Sequence, residues 1–389
     1  MLEKGLTYEV VCEPLEGAHV MDAIANAHED APRPSALATM RILSLHFLCF
    51  VLPVASFAFL LTAPHAWYAS LPWLLVVIGS IAVDMQSPRE HRQPLATLPG
   101  WPFDGVLYAL FFLQLANVAL LVRMVALNGF FTTDTLVGFL LVGINSGYSG
   151  LVVAHELIHR ASAGMQQLGR MMLVSVLYEH FYTEHIRGHH ARVATGDDPA
   201  TARFGEGPGE FLLRTVPGQF RSAWRLEAKR LGDADMKWWD PRMLRSRVVH
   251  GLVLEWGIAL VILLTLGLGA FTIFVLQAAL AVRLLEAVNY FEHWGLARTT
   301  RRVRTIDSWD TDSWFTLYTL VGLSRHADHH AYASRPYQQL RYFEESPKLP
   351  YGYFGTTLLV LFARKRIRRL MTQELERRQL GPFAPEAAA

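Results

Sequence analysis

Cysteine is almost missing: Cys12 and Cys49 are the only two among 389 residues. That rules out a disulfide scaffold. With no CxxC pair it also rules out a zinc ribbon, an iron–sulfur cluster or rubredoxin-type iron within the chain. Charge is scarce as well. Charged residues make up 18%, against roughly 25% in soluble domains. The 36 Lys and Arg nearly balance the 34 Asp and Glu, leaving a net charge of +2, which gives no ground for nucleic-acid binding. There is no GxGxxG after a strand-like run and no P-loop, so no dinucleotide or nucleotide cradle is expected. The chain is rich instead in apolar residues, at 52%, and in histidine, with 16.

The apolar residues fall in runs. A membrane helix needs about 20 mostly apolar residues, and six segments qualify: 41–63, 67–85, 104–127, 132–154, 250–268 and 270–290. Trp and Tyr lie near several of their ends, as in membrane–water interfaces. The first pair is joined around Pro64-His65, and the last pair turns at Gly267-Leu268-Gly269. The fold class expected is therefore an all-α integral membrane protein with about six transmembrane helices and a helical cap. Basic residues set the orientation. Arg33 and Arg41, Arg89 and Arg92, the stretch 160–249 and the run Arg364–Arg369 alternate with uncharged or acidic loops at 64–66, 127–133 and 267–269. By the positive-inside rule both termini and the long polar segments face the cytoplasm. Arg123, near the far end of the third run, is placed to snorkel. The first 38 residues are polar and mixed in charge, unlike a cleavable signal peptide. The expected organisation is a cytoplasmic segment 1–40, four spans in 41–154, a cytoplasmic segment 155–249, two spans in 250–290, and a cytoplasmic segment 291–389 whose end, from Pro382, is frayed.

Nine of the histidines stand in four tight groups: His155-Glu156-Leu157-Ile158-His159, Glu184-His185-Ile186-Arg187-Gly188-His189-His190, Glu292-His293 and His326-Ala327-Asp328-His329-His330. Residues at i and i+4 share one helix face, so His155/His159, His185/His189 and His326/His330 should each present their rings to a common point. Burying many imidazoles costs free energy unless they are paired or ligated, and a metal satisfies them together. Nine exceed the three or four protein ligands of one zinc, so a dinuclear site is the economical reading. Imidazole suits zinc, copper, iron and nickel. His155-Glu156-x-x-His159 also matches the zincin motif, but a zinc peptidase would leave the other groups unexplained. A metal transporter or sensor would need ligands along a path through the membrane, whereas these cluster at one face. The remaining histidines (His19, His28, His46, His65, His91, His180 and His250) are isolated and read as structural or surface residues. His180 is the one to watch, because it lies five positions before His185.

These groups, in this order at these helix ends, resemble the membrane-bound non-haem diiron alkane hydroxylases (alkane 1-monooxygenases) of the fatty acid desaturase/hydroxylase superfamily. The similarity covers about 40–355. Asn289-Tyr290-Phe291-Glu292-His293-Trp294-Gly295-Leu296 looks like the motif that separates them from ordinary desaturases. Arg325-His326-Ala327-Asp328-His329-His330-Ala331 and Ala194-Thr195-Gly196-Asp197-Asp198-Pro199-Ala200-Thr201 fit this family better than its xylene monooxygenase branch. There are two departures. The usual Tyr of the third motif is Trp294, and a Ser-Trp-Asn stretch reads Ser308-Trp309-Asp310.

The resemblance implies two iron ions held by His155, His159, His185, His189, His190, His293, His326, His329 and His330. It also implies hydroxylation of a terminal methyl of medium- or long-chain alkanes with O₂, on the cytoplasmic side of a bacterial inner membrane. Electrons would come from rubredoxin, itself reduced by rubredoxin reductase, and the apolar substrate would come from the lipid. Metal-bound histidines usually donate their second N–H to a carboxylate or carbonyl. Glu156, Glu184, Glu292 and Asp328, each beside a candidate ligand, are expected in that role, the alternative being that one of them binds the metal itself. Asp197, Asp198, Asp310 and Asp312 read equally well as caps or solvated loop residues. The run Arg364–Arg369 would dock an acidic carrier or touch anionic lipid. The alternatives kept are a fatty acyl desaturase or lipid hydroxylase with the same metal site and, more remotely, a membrane zinc metalloprotease.

Overall fold

A computed structural model describes residues 35–95 and 98–385. Most of the N-terminal segment 1–40, with Cys12, His19, His28 and Arg33, lies outside these residues, as do the last four of the tail. Among the described residues the chain is helical and has no strand; two isolated β-bridges, Arg89–Ser313 and Asp310–Lys348, are its only extended pairings.

Five elements are long and apolar enough to cross a membrane: α1 Ala36–Thr62, α2 Trp67–Met85, α3 Gly100–Asn128, α4 Thr133–Ile158 and α8 Arg247–His293. α1 begins five residues before the expected 41, because Ser35 Oγ accepts from Ala38 N at 3.2 Å and caps it. It tightens to a 3₁₀ turn at Phe47–Phe50. Pro53 follows, whose ring displaces the carbonyl four residues back and which offers no N–H. α3 stops at Gly129, where φ is +91°, and Thr132 Oγ1 caps α4 through Thr135 N at 3.1 Å.

α8 is two arms. Gly267 has φ 84° and ψ 176°, a break in the helix, at the turn expected from Gly267-Leu268-Gly269. That the chain reverses there follows from two contacts. Glu286 accepts from Tyr178 Oη at 3.0 Å, and Glu255 accepts from the backbone N–H of the next residue, Glu179. In a straight helix Glu255 and Glu286 would lie about 46 Å apart, so both reach residues 178 and 179 only if the arms run back along each other. Ala259 of one arm and Ala270, Ile273 and Phe274 of the other share a core with Phe59, Leu121, Val137 and Leu141.

A polar seam crosses the helices below the histidines. Gln114 of α3 donates to Ser146 Oγ at 2.8 Å and accepts from Asn145 Nδ2 at 2.9 Å. Ser146 Oγ donates to Gln277 Oε1 at 3.0 Å, and Gln277 Nε2 donates to the Ser175 carbonyl at 2.9 Å. Here α4 widens into a π turn, Ser146–Gly150. Its glycines let neighbours in, since a Cβ on Gly150 would strike Gln114 and one on Gly147 would strike Leu284.

The cap consists of α5 Ala163–Val174, α6 spanning 181–192, α7 Pro208–Arg230, α9 Trp314–Thr319, α10 His326–Ala331, α11 Tyr353–Phe362 and α12 Arg364–Arg378. Asp84, in the last turn of α2, ties it to the bundle. Its carboxylate accepts from Ser313 Oγ at 2.8 Å, Thr316 Oγ1 at 2.7 Å and Gly355 N at 2.9 Å. Gly352 must lack a side chain, because a Cβ there would collide with Asp84.

Candidate metal centre

Four helix ends deliver the nine grouped histidines to one place. His155 ends α4 and His159 follows at its C-cap; His185, His189 and His190 come from α6; His293 ends the second arm of α8; His326, His329 and His330 come from α10. Seven are buried, and His159 and His190 are half-buried. Their ligand atoms gather in two groups. His155, His159, His185, His190 and His329 lie within 4.8 Å of one another. The second group holds His189, His293 and His330, continued by His326 and Glu292 around the shared His293. His159 and His329 meet edge to face at 4.5 Å between ring centroids in the first, His189 and His293 at 4.7 Å in the second.

The pairing differs from the i, i+4 expectation in α6. Residues His185–His189 form a π turn, which takes more residues per turn than an α-helix. His185 therefore meets His190, with Nε2 atoms 3.1 Å apart, while His189 swings to the other group and faces His330 at 3.3 Å. α10 straddles both groups, giving His329 to the first and His326 and His330 to the second.

Burial, and then the neighbouring imidazoles, push His159, His185, His190, His326, His329 and His330 well below the ordinary histidine range. The rings are thus neutral near pH 7, the form that binds metals. Nε2 of His155, His159 and His329 has no protein partner, and in the second group the Nε2 atoms face one another, His189 and His330 at 3.3 Å and His293 and His326 at 3.4 Å. Unpaired buried nitrogens are costly, and converging ones are what cations relieve. The donor set fits two transition-metal ions, and nine imidazoles exceed what one tetrahedral zinc uses.

Carboxylates hold the cluster from outside. Asp198 Oδ2 accepts from His189 Nδ1 at 2.9 Å, which fixes the tautomer and leaves Nε2 to face inward. Burial raises the Asp198 carboxyl, but His189 and the hydrogen bonds from His189 and Thr201 outweigh it, and the result is down, at about 2. Glu292 sits at the centre itself: Oε2 is 3.3 Å from His326 Nε2, while Oε1 accepts from Tyr353 Oη at 2.6 Å. The other three acids expected beside ligands turn to other partners. Glu156 accepts from Arg160 Nε at 2.8 Å and Tyr337 N at 3.1 Å. Glu184 pairs with Arg192 at 3.0 Å, and Asp328 pairs with Arg335 and Arg341. Asp310 holds α10 in place by accepting from Ala327 N at 2.7 Å, Asp312 takes His91 at 3.0 Å, and Asp197 is exposed.

Among the described residues the isolated histidines stay out of the groups. His65 bonds to Asp134, His250 to the Leu244 carbonyl, and His46 is wedged between Phe103, Tyr318 and Tyr337. His180 packs on Tyr178 and Phe220. The two departures from the family pattern lie behind the cluster. Trp294 Nε1 donates to the Glu206 carbonyl at 3.2 Å, and Trp309 Nε1 donates to the Trp294 carbonyl at 2.9 Å, so both indoles brace the backbone that carries His293.

Residues 133–357, more than half of the chain, match the fatty acid desaturase family model. Alkane 1-monooxygenase 2 of Pseudomonas aeruginosa is 36% identical over 327 residues, covering 77% of this chain and 82% of that protein. Alkane 1-monooxygenase 1 of the same organism is 40% identical over 235 residues, which cover 57% of this chain and 58% of that protein. The alkane 1-monooxygenase of Acinetobacter baylyi is 38% identical over 232 residues, 56% of this chain and 55% of that protein. In the last two comparisons the chain thus spans little more than half the length of its relative. The histidine groups, the desaturase match across all of them and the two-thirds coverage reached with alkane 1-monooxygenase 2 assign the chain to the fatty acid desaturase family and, within it, to the alkane 1-monooxygenases.

Proposed function

We propose that this integral membrane protein is an alkane 1-monooxygenase that hydroxylates the terminal methyl of medium- or long-chain alkanes, using O₂ and two electrons from an acidic carrier of the rubredoxin type. The observation that carries the reading is the convergence of nine largely buried imidazoles in two groups at the ends of apolar helices. His155, His159, His185, His190 and His329 would hold one iron ion. His189, His293, His326 and His330, with the Glu292 carboxylate beside them, would hold the other. Two irons bound there would supply the O₂ chemistry needed to oxidise an unactivated C–H bond.

The chain's own residues orient and exclude. Asp198 keeps His189 in one tautomer, and Tyr353 holds the Glu292 carboxylate toward the rings by donating to Oε1. Asp310 fixes the start of α10 and so the direction of its three imidazoles. The apolar helices deliver an alkane from lipid and keep bulk water away, so positional selectivity follows from which carbon reaches the cluster. Both termini and the cluster lie on the cytoplasmic side in this reading, with the segments 155–249 and 291–389 forming the cap and six spans crossing if each arm of α8 counts as one. A hollow beside Asp198 is lined by Arg203, Arg221, Arg225 and Lys229, none in an ion pair among the described residues. Together with Arg364–Arg369 these cations suit an acidic electron carrier.

The test is metal content of the detergent-solubilised protein, followed in the same preparation by octane turnover with rubredoxin, its reductase and NADH. About two irons per chain and 1-octanol are expected. Two irons with an alkene or a hydroxylated acyl chain, and no octanol, would move the activity to the desaturase or lipid hydroxylase reading. One zinc and no iron would overturn the reading.

A further inference from the structure

Beside the α1 end of the bundle lies a cavity of about 400 Å³ that no part of the metal centre fills. One wall is apolar, with Leu37, Ile42, Leu45 and Leu98. Arg41, Arg325 and Gln338 also line it, and no Asp or Glu does so among the described residues.

Arg325 is the unusual residue. It is 2% exposed, yet it forms no ion pair among the described residues. Its Nη2 donates to the Glu90 carbonyl at 2.7 Å, and its Nη1 has no partner. The nearest acids bond to other groups and reach Arg325 only through their charge: Glu90 bonds to Arg92, Asp310 to Ala327 N and Ser346, and Asp312 to His91 through one of its two oxygens. Gln338 is 5% exposed, and both its amide oxygen and its amide nitrogen lack partners. A buried guanidinium with no acid in direct contact, resting over the Tyr342 ring at 4.9 Å, and a buried amide with neither end satisfied both raise the free energy of an empty cavity. A planar guanidinium matches a carboxylate or phosphate with two parallel hydrogen bonds. The leucine wall offers the same ligand's tail a dry surface.

We propose that this cavity binds a long-chain amphiphile by its anionic oxygen head, with Arg325 Nη1, the Gln338 amide and Arg41 on the head and Leu37, Ile42, Leu45 and Leu98 along the chain. The head is a carboxylate or a phosphodiester; the same groups would receive a free fatty acid or an anionic phospholipid. This site needs neither iron nor turnover and stands apart from the reaction assigned above.

The experiment uses the full-length protein in detergent with radiolabelled palmitate, and 1-hexadecanol as the uncharged chain of equal length. Saturable palmitate binding near one per chain is expected, with 1-hexadecanol binding roughly tenfold or more weaker, since the charged head carries the recognition. Arg41→Gln and Gln338→Leu should each weaken palmitate several-fold while iron content and thermal midpoint stay at the wild-type level. Arg325 is left intact because His326 follows it. Phosphatidylglycerol displacing palmitate at lower concentration than unlabelled palmitate would identify the membrane lipid as the source; the reverse order would identify the free acid. Equal affinity for 1-hexadecanol and palmitate, or wild-type palmitate binding in the Arg41→Gln/Gln338→Leu double variant, would overturn the proposal.

Discussion

Asp198 reaches His189 from a loop nine residues further on, and its hydrogen bond is the one contact among the described residues in which a carboxylate fixes the outer nitrogen of a clustered ring. Asp198→Asn can present an N–H to Nδ1 and favour the wrong tautomer, so iron affinity should fall about 10–100-fold. Iron retained after dialysis against a chelator measures this, and wild-type retention would show that the ring is held by something else. The acids next to the histidines in sequence were the natural candidates, yet Glu156, Glu184 and Asp328 serve arginines. The reason is angular: on a helix the next residue points about 100° away from its neighbour, so an acid adjacent in sequence usually faces away from the ring. Glu292 escapes this because Tyr353 and His326 close around it. Asp198 could have been favoured from its place in Asp197-Asp198-Pro199, but a loop carboxylate looks the same in sequence whether it caps a turn or grips a ring. Glu179, away from the cluster, supplies a second test. Burial, opposed by Arg170, pushes its carboxyl up to about 7. Below the ordinary value near 4.5 both folded and unfolded chains are protonated, and above 7 both are ionised. Stability should therefore fall as pH rises between these values, by up to about 3 kcal/mol. Thermal midpoints at pH 5 and pH 8 should differ less in Glu179→Gln than in wild type, and an equal pH dependence would sink the assignment.

Among the elements, the helical hairpin of α8 was legible in the sequence because only glycine sits comfortably at its break. Gly267 has φ 84° and ψ 176°, a region essentially closed to side chains, so Gly267→Val should cost about 1–3 kcal/mol. The thermal midpoint of the solubilised protein should drop while iron content holds. An unchanged midpoint would mean that the arms turn elsewhere. The helix starts were less legible, as at Ser35, because a cap can extend a helix into a polar stretch that hydropathy discards. The π turns could not be read at all. A His-x-x-x-His-His string looks the same in an α-helix and in a π turn, and only the wider turn sends His185 and His189 to different groups. What selects the widening at Ser146–Gly150 is long-range: Gln114, Gln277 and Leu284 press against a stretch whose glycines admit them.

At the scale of the whole molecule, periodicity and charge together carry the architecture, since long apolar elements must satisfy their own backbone in lipid and basic loops stay on the cytoplasmic side. Polar anchors stand at both ends of the bundle. Asp84 binds α2 to Ser313, Thr316 and Gly355 at the end where the histidines gather, and Asp134 receives the backbone N–H of His65 at 2.7 Å at the other, between α1 and α4. The two ends of the bundle thus have separate polar linkages, and the orientation can be read by labelling from one side. With both native cysteines replaced by alanine, a single cysteine at exposed Ala66, between α1 and α2, should react with a membrane-impermeant maleimide in intact spheroplasts. One at exposed Ala384, beyond α12, should react only after lysis. The opposite pattern would turn the molecule over in the membrane and put the histidine cluster, with the cationic hollow beside Asp198, out of reach of any cytoplasmic electron carrier. Labelling of both positions from outside would mean that an even number of helices crosses between them, so that one arm of α8 does not span.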